Sequence, residues 1–190
     1  MANRDRRMGF RPTTMINGAK VPVRRFAVYG SNASLGLYIN DLCVCLASGN
    51  IGPAAADCGD ILLGSIVGLY DTNKRMIGAW DSSVSTKYLP VNTGGYADVA
   101  LALPEAVFRC QGLSSTTPAA TDVFSSSDHT AGTGNTVTGM SGHELTCTFS
   151  TANMWKVIGK VDEPDNDWGE HCDMLVVAQE SYWFDGTAGV

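Results

Sequence analysis

Residues 35–46 read Leu-Gly-Leu-Tyr-Ile-Asn-Asp-Leu-Cys-Val-Cys-Leu, and their rhythm is two. Leu35, Leu37 and Ile39 alternate with Gly36, Tyr38 and Asn40. Successive side chains of an extended strand point to opposite faces, so this alternation predicts strand. Further along, Leu42, Val44 and Leu46 take one face while Cys43 and Cys45 take the other. Both faces are apolar there, as in a strand buried on two sides.

The same rhythm spreads outward. Phe26 and Val28 lead into a turn at Gly30-Ser31-Asn32, and residues 49–59 form a loop. Ile61 to Tyr70 is an apolar run, Asp71 to Lys74 reads as a hairpin turn, and Met76 to Trp80 returns. Val99, Leu101 and Leu103 alternate before Pro104, and Val107, Phe108 and Cys110 resume after it. Near the end, Leu145, Cys147 and Phe149, then Trp155, Val157 and Val161, then Met174, Val176 and Ala178 repeat the pattern. An aromatic group, Tyr182-Trp183-Phe184, follows. Residues 113–142 differ: they are dominated by Ser, Thr, Ala, Gly and Asp, and predict a long polar surface loop with a short helical turn near Ala120–Ser125. The sum is about eight to ten short strands and no helix of three turns, which predicts one all-β barrel or sandwich.

Charge divides the chain unevenly. Residues 1–25 hold Arg4, Arg6, Arg7, Arg11, Lys20, Arg24 and Arg25 against a single acid, Asp5. Residues 26–190 hold the other six Lys/Arg against eighteen Asp/Glu. Pro12 and Pro22 oppose helix and central strand alike in the first segment. Residues 1–25 therefore read as an extended basic arm that seeks an acidic surface, and residues 26–190 as a β-rich body whose copies repel. The candidate binding residues of the arm are the cations Arg4, Arg6, Arg7, Arg11, Arg24 and Arg25, with Met8, Phe10, Met15 and Ile16 as apolar anchors.

Catalytic chemistry finds little purchase. Histidines stand only at His129, His143 and His171. His129 lies near Ser125, Ser126, Ser127 and Asp128, but no G-x-S-x-G elbow accompanies it. His143-Glu144 lacks the second histidine of a zinc protease helix, because Cys147 stands in its place. The acids from Asp162 to Asp173 lack the spacing of a calcium loop and read as a solvated turn. Cys43, Cys45, Cys58, Cys110, Cys147 and Cys172 lack zinc spacing, and most sit in apolar runs where a thiol is a small hydrophobe. Neither metal nor other cofactor is expected, and no catalytic residue is assigned. No apolar run approaches the about 18 residues of a membrane span. The N-terminus has charge without an apolar core, so it does not read as a secretory signal. Direct nucleic-acid binding is not expected from so acidic a body.

The order of the segments carries a resemblance. Residues 1–13 (MANRDRRMGFRPT) resemble the start of small structural proteins of tailed bacteriophages, which open M-A-N and then G-F-R-P. Residues 37–49 (LYINDLCVCLASG), 61–71 (ILLGSIVGLYD) and 87–112 (KYLPVNTGGYADVALALPEAVFRCQG) follow in matching order. Residues 139–145 (GMSGHEL) and 155–184 (WKVIGKVDEPDNDWGEHCDMLVVAQESYWF) complete it, so nearly the whole chain is covered. The family is similar to capsid decoration, or cement, proteins. The resemblance implies a mostly β protein without turnover, often a homotrimer, made in the bacterial host cytoplasm and bound to the major capsid protein on the virion's outer surface. It makes Tyr88-Leu89-Pro90, Phe108 with Gln111, Gly139 to Gly142 and Pro164 to Asn166 points that determine the fold. The six cysteines depart from the family pattern. The alternative is a host- or carbohydrate-binding β module, such as a head-fibre or tail component, with Trp80, Trp168 and Trp183 stacking on sugars.

Overall fold

The two-faced apolar pattern of residues 42–46 has a direct structural cause. In a computed structural model, which describes residues 3–30, 36–56, 62–79, 81–113, 115–150 and 153–183, the chain is all-β with two adjoining cores. Strands β2 (Val23–Val28), β3 (Leu42–Cys45), β4 (Ile51–Pro53), β5 (Leu62–Tyr70) and β6 (Gly95–Leu101) close into a barrel in the order β2-β4-β3-β5-β6. Cys43, Ile51, Leu63, Ile66, Ala97 and Val99 fill its interior. Leu42, Val44, Leu62 and Ala100 instead join a second core, against a five-stranded sheet. A barrel wall with another sheet outside it must be apolar on both faces.

That second sheet has the order β1-β7-β12-β11-β8, from β1 (Arg11–Met15), β7 (Ala106–Gln111), β12 (Asp173–Ala178), β11 (Trp155–Lys160) and β8 (Ser126–Ser127). Its neighbours are all antiparallel. Phe108, Cys110, Trp155, Val157, Met174 and Val176 project from it into the shared core. A two-stranded ribbon, β9 (His129–Thr130) with β10 (Glu144–Leu145), lies beside these. Cys45, Cys110, Cys147 and Cys172 are free thiols, three of them buried.

The expected turn at Asp71 is present. The Asp71 carboxylate accepts the backbone N–H groups of Asn73, Arg75 and Ser83, each at 2.9 Å. The returning segment after it is turns and one bridge, Tyr70 to Met76, rather than a strand. The expected Ser31-Asn32 turn, Leu35, Cys58, Ile61, Trp80 and Phe184 lie outside the described residues.

Besides the return after Asp71, the expected loop over residues 49–59 contains β4, and two further expectations need correction. Residues 113–142 are not simply a surface loop: beyond a 3₁₀ turn at Ala120–Asp122 they supply β8 and β9, and Ser126, Ser127, His129 and Ser141 are buried. Small hydroxyl residues are acceptable inside where partners exist. Ser127 Oγ, for instance, meets Thr146 Oγ1 at 3.0 Å. Residues 1–25 are likewise not an arm standing off the body. Their described part contains β1, the turn at Asn17-Gly18 and the start of β2, so the boundary drawn at residue 25 falls within a strand. Pro12 is accommodated because β1 is an edge strand, where no second neighbour needs its missing N–H.

Candidate docking edge

The apolar anchors expected to dock elsewhere dock here. Phe10 is fully buried, stacked on Trp155 (centroids 4.7 Å apart, planes at 28°) and edge-on to His129 at 6.0 Å. Gly9 makes this entry possible. Its φ is +69°, and a Cβ there would stand 2.3 Å from Asn40 O and 2.4 Å from Ser141 Cβ. Met15 packs half-buried against the same core, and Met8 is half-buried, its carbonyl accepting Asn40 Nδ2 at 2.9 Å. Only Ile16, 64% exposed at the turn, remains an apolar anchor facing solvent.

The cations separate into two groups. Arg25 is consumed internally: it grips Asp98 with Nε and Nη2 at 2.7 and 2.9 Å, and its guanidinium lies 3.9 Å from the Tyr70 ring centre. Tyr70 donates to the same carboxylate at 2.8 Å. These hydrogen bonds, Arg25's first, hold the Asp98 carboxyl below its ordinary range. Arg7 stands between Asp5 and the buried Glu144, with Nε at 3.5 and 3.3 Å from their oxygens. Arg4, Arg6, Arg11 and Arg24 are exposed. Arg4 and Arg6 lie beside Glu163, Asp165 and Asp173, Arg11 opens the edge strand β1, and Arg24 stands near the start of β2.

The chain before β1 is fixed by Gln111, which the resemblance marks as a fold-determining position, and by Asn3, which sequence reasoning passed over. Gln111 receives the Arg6 N–H at 3.0 Å on Oε1 and donates through Nε2 to the carbonyls of Arg4 (2.8 Å) and His171 (3.2 Å). Asn3 donates to the carbonyls of Asp167 and Glu170 and accepts the Asp167 N–H at 2.8 Å. The signal was a lone amide ending an apolar strand run, since a buried amide demands partners. Next to them Arg109 pairs with Glu163 and Asp173, and its hydrogen bond holds Glu163 below the ordinary carboxylate range. The acids near Asp162–Asp173 are therefore partly engaged, and Asn166 ties the turn to Val161 O and Asp173 O at 2.8 Å each.

A cleft of about 390 Å³ opens on another side, lined among others by Tyr38, Tyr88, Asp41 and His143. Tyr38 and Tyr88 stack at 4.7 Å, and Gly134 lies so close to the Tyr38 ring that a Cβ would come within 2.3 Å. The Tyr38 ring is therefore enclosed rather than offered to a ligand. Below it Asp41 Oδ1 is 3.6 Å from His143 Nε2, both side chains buried. Burial lifts the Asp41 carboxyl to about 7 and lowers His143 to about 3. His129 stacks on His143 at 5.7 Å, and burial lowers it to about 4. Among the described residues His129 Nδ1 and Nε2 have no hydrogen-bond partner. Of the tryptophans, Trp168 packs against the core, and Trp183 is 37% exposed with Nε1 donating to Leu63 O at 2.9 Å.

Among the described residues no helix is long and apolar enough to cross a membrane. Comparison with known proteins finds no protein-family model, no curated protein and no solved structure that matches this chain.

Proposed function

We propose that the protein is a non-enzymatic structural protein of a tailed-phage virion that binds the outer surface of the capsid and stabilises the shell. Its partner is the major capsid protein, and its working form is a homotrimer. The observation that carries this reading is that Arg4, Arg6, Arg11 and Arg24 are exposed in the basic N-terminal segment of a chain of net charge −6. Such a segment suits an acidic, repeating partner surface. The segment resemblance supports the choice of partner, and the all-β body offers a rigid mount for the contact. The apolar contribution narrows to Ile16 and Val23, both largely exposed.

Charge reversal at surface residues tests the proposal without touching the core. The triple variant Arg4→Glu, Arg6→Glu, Arg11→Glu is expected to keep its fold and to lose at least about tenfold in affinity for assembled shells, measured by co-sedimentation. Unchanged occupancy by that variant would overturn the reading. Selective binding on a glycan array would instead favour the carbohydrate-binding alternative.

A further inference from the structure

We propose that Asp5, Glu144 and His171 form a binding site for a first-row divalent cation, Zn²⁺ by preference, which fastens the N-terminal segment to the body. The three come from distant parts of the chain, yet one carboxylate oxygen of each acid and one imidazole nitrogen lie within 4.8 Å of one another. Bonds of about 2.0–2.2 Å to one ion would draw such atoms together by roughly an ångström. The Asp5 side chain, 49% exposed, has freedom to make that movement.

Glu144 points to a ligand independently of the cluster. Its side chain is only 2% exposed, and Oε1 has no hydrogen-bond partner. A buried carboxylate oxygen left without a partner is costly, and a cation removes that cost. His171 Nδ1 is buried and without a hydrogen bond as well. Arg7 partly fills the role of cation, with its Nε near both carboxylates. Being on an exposed side chain, it can withdraw into solvent when an ion enters.

The backbone around the site is already held. Gln111 binds Arg4 O and Arg6 N, the two neighbours of Asp5, and the same amide binds the His171 carbonyl. Two ligands are therefore positioned by one buried side chain, which is how outer residues tune a metal site. One imidazole with two carboxylates and no thiolate favours Zn²⁺ and its neighbours over the oxygen-only ligation of Ca²⁺ or Mg²⁺. Three protein ligands leave at least one position for water, and the site's role is to staple.

The test is calorimetric titration of ZnCl₂ into the untagged full chain at neutral pH, beside thermal unfolding with and without the metal. Near-stoichiometric binding of one Zn²⁺ per chain is expected, with a raised unfolding midpoint. Asp5→Asn and His171→Ala, both at partly exposed residues, should each weaken binding at least about tenfold. Arg7→Gln should strengthen it, because the competing cation is gone. Glu144→Gln should abolish it, and if that variant does not fold the other three carry the result. Absence of binding, binding undiminished in Asp5→Asn and His171→Ala, weaker binding in Arg7→Gln, or Ca²⁺ bound as tightly as Zn²⁺ would each overturn the proposal.

Discussion

At the scale of single residues the most consequential group is Asp41, a carboxylate placed where a carboxylate is poorly solvated. It accepts the Tyr38 N–H at 2.8 Å on Oδ2, while Oδ1 has no hydrogen-bond partner. The groups facing it are the His143 ring, the Ser141 hydroxyl and the Tyr38 backbone, none of them positively charged at neutral pH. Its folded-state value is raised from 3.8 to about 7, mainly by burial. A raised value means that its contribution to stability is complete below the unfolded value and is lost as pH climbs through 7. Asp41→Asn keeps the shape, cannot ionise and offers an N–H₂ towards His143. The variant's stability relative to the parent is therefore expected to improve by about 2–3 kcal/mol between pH 5 and pH 8. Urea denaturation at the two pH values measures this, and a difference that does not vary with pH would show that Asp41 stays ionised throughout.

At the scale of elements, the N-terminal strand carries the lesson. Cutting away residues 2–25 would remove β1, Phe10 and the first half of β2, which pairs with β6 from Val23 to Val28. Loss of a buried phenylalanine alone costs about 3–5 kcal/mol, a large share of a domain's stability. This truncation is expected to give no cooperative unfolding transition, whereas removing residues 2–7 leaves both strands and should unfold cooperatively. Circular dichroism with denaturant separates the two, and a well-folded 26–190 fragment would contradict the fold. The β body was legible in sequence because period two and two-sided apolarity are local signals. Leu42 and Val44 reported one core and Cys43 the other. The fate of Phe10 was not legible: it depends on Gly9 meeting Asn40 and Ser141, far along the chain. The buried serines of β8 escaped for the same reason, since composition marks them as solvent-facing and only distant partners make them acceptable inside. Of the candidate site, the exposed arginines could be read from charge alone, but the capture of Arg25 by Asp98 could not.

At the scale of the whole molecule, charge governs how copies meet each other and a partner. The chain carries net charge −6 and a sequence pI near 4.9, yet its first 25 residues are basic. On the proposed capsid-binding function, neighbouring copies would repel through their acidic bodies while the basic N-terminal segment is drawn to an acidic surface. Salt acts on both, since the screening length falls from about 10 Å at 0.1 M to about 3 Å at 1 M. The attachment should weaken, because contact between exposed charges is the term that salt reduces most. If the working form is the proposed homotrimer, three linked copies would multiply a weak single contact, and the loss should be steep rather than gradual. Occupancy of shells by the parent protein is thus expected to fall sharply between 0.05 and 1 M NaCl, while the Arg4/Arg6/Arg11 charge-reversed variant stays low throughout. If the parent held on at 1 M salt, attachment would have to rest on apolar contacts such as Ile16 and Val23. Ile16→Asp would then be the decisive substitution, because that side chain is 64% exposed and makes little contribution to the core.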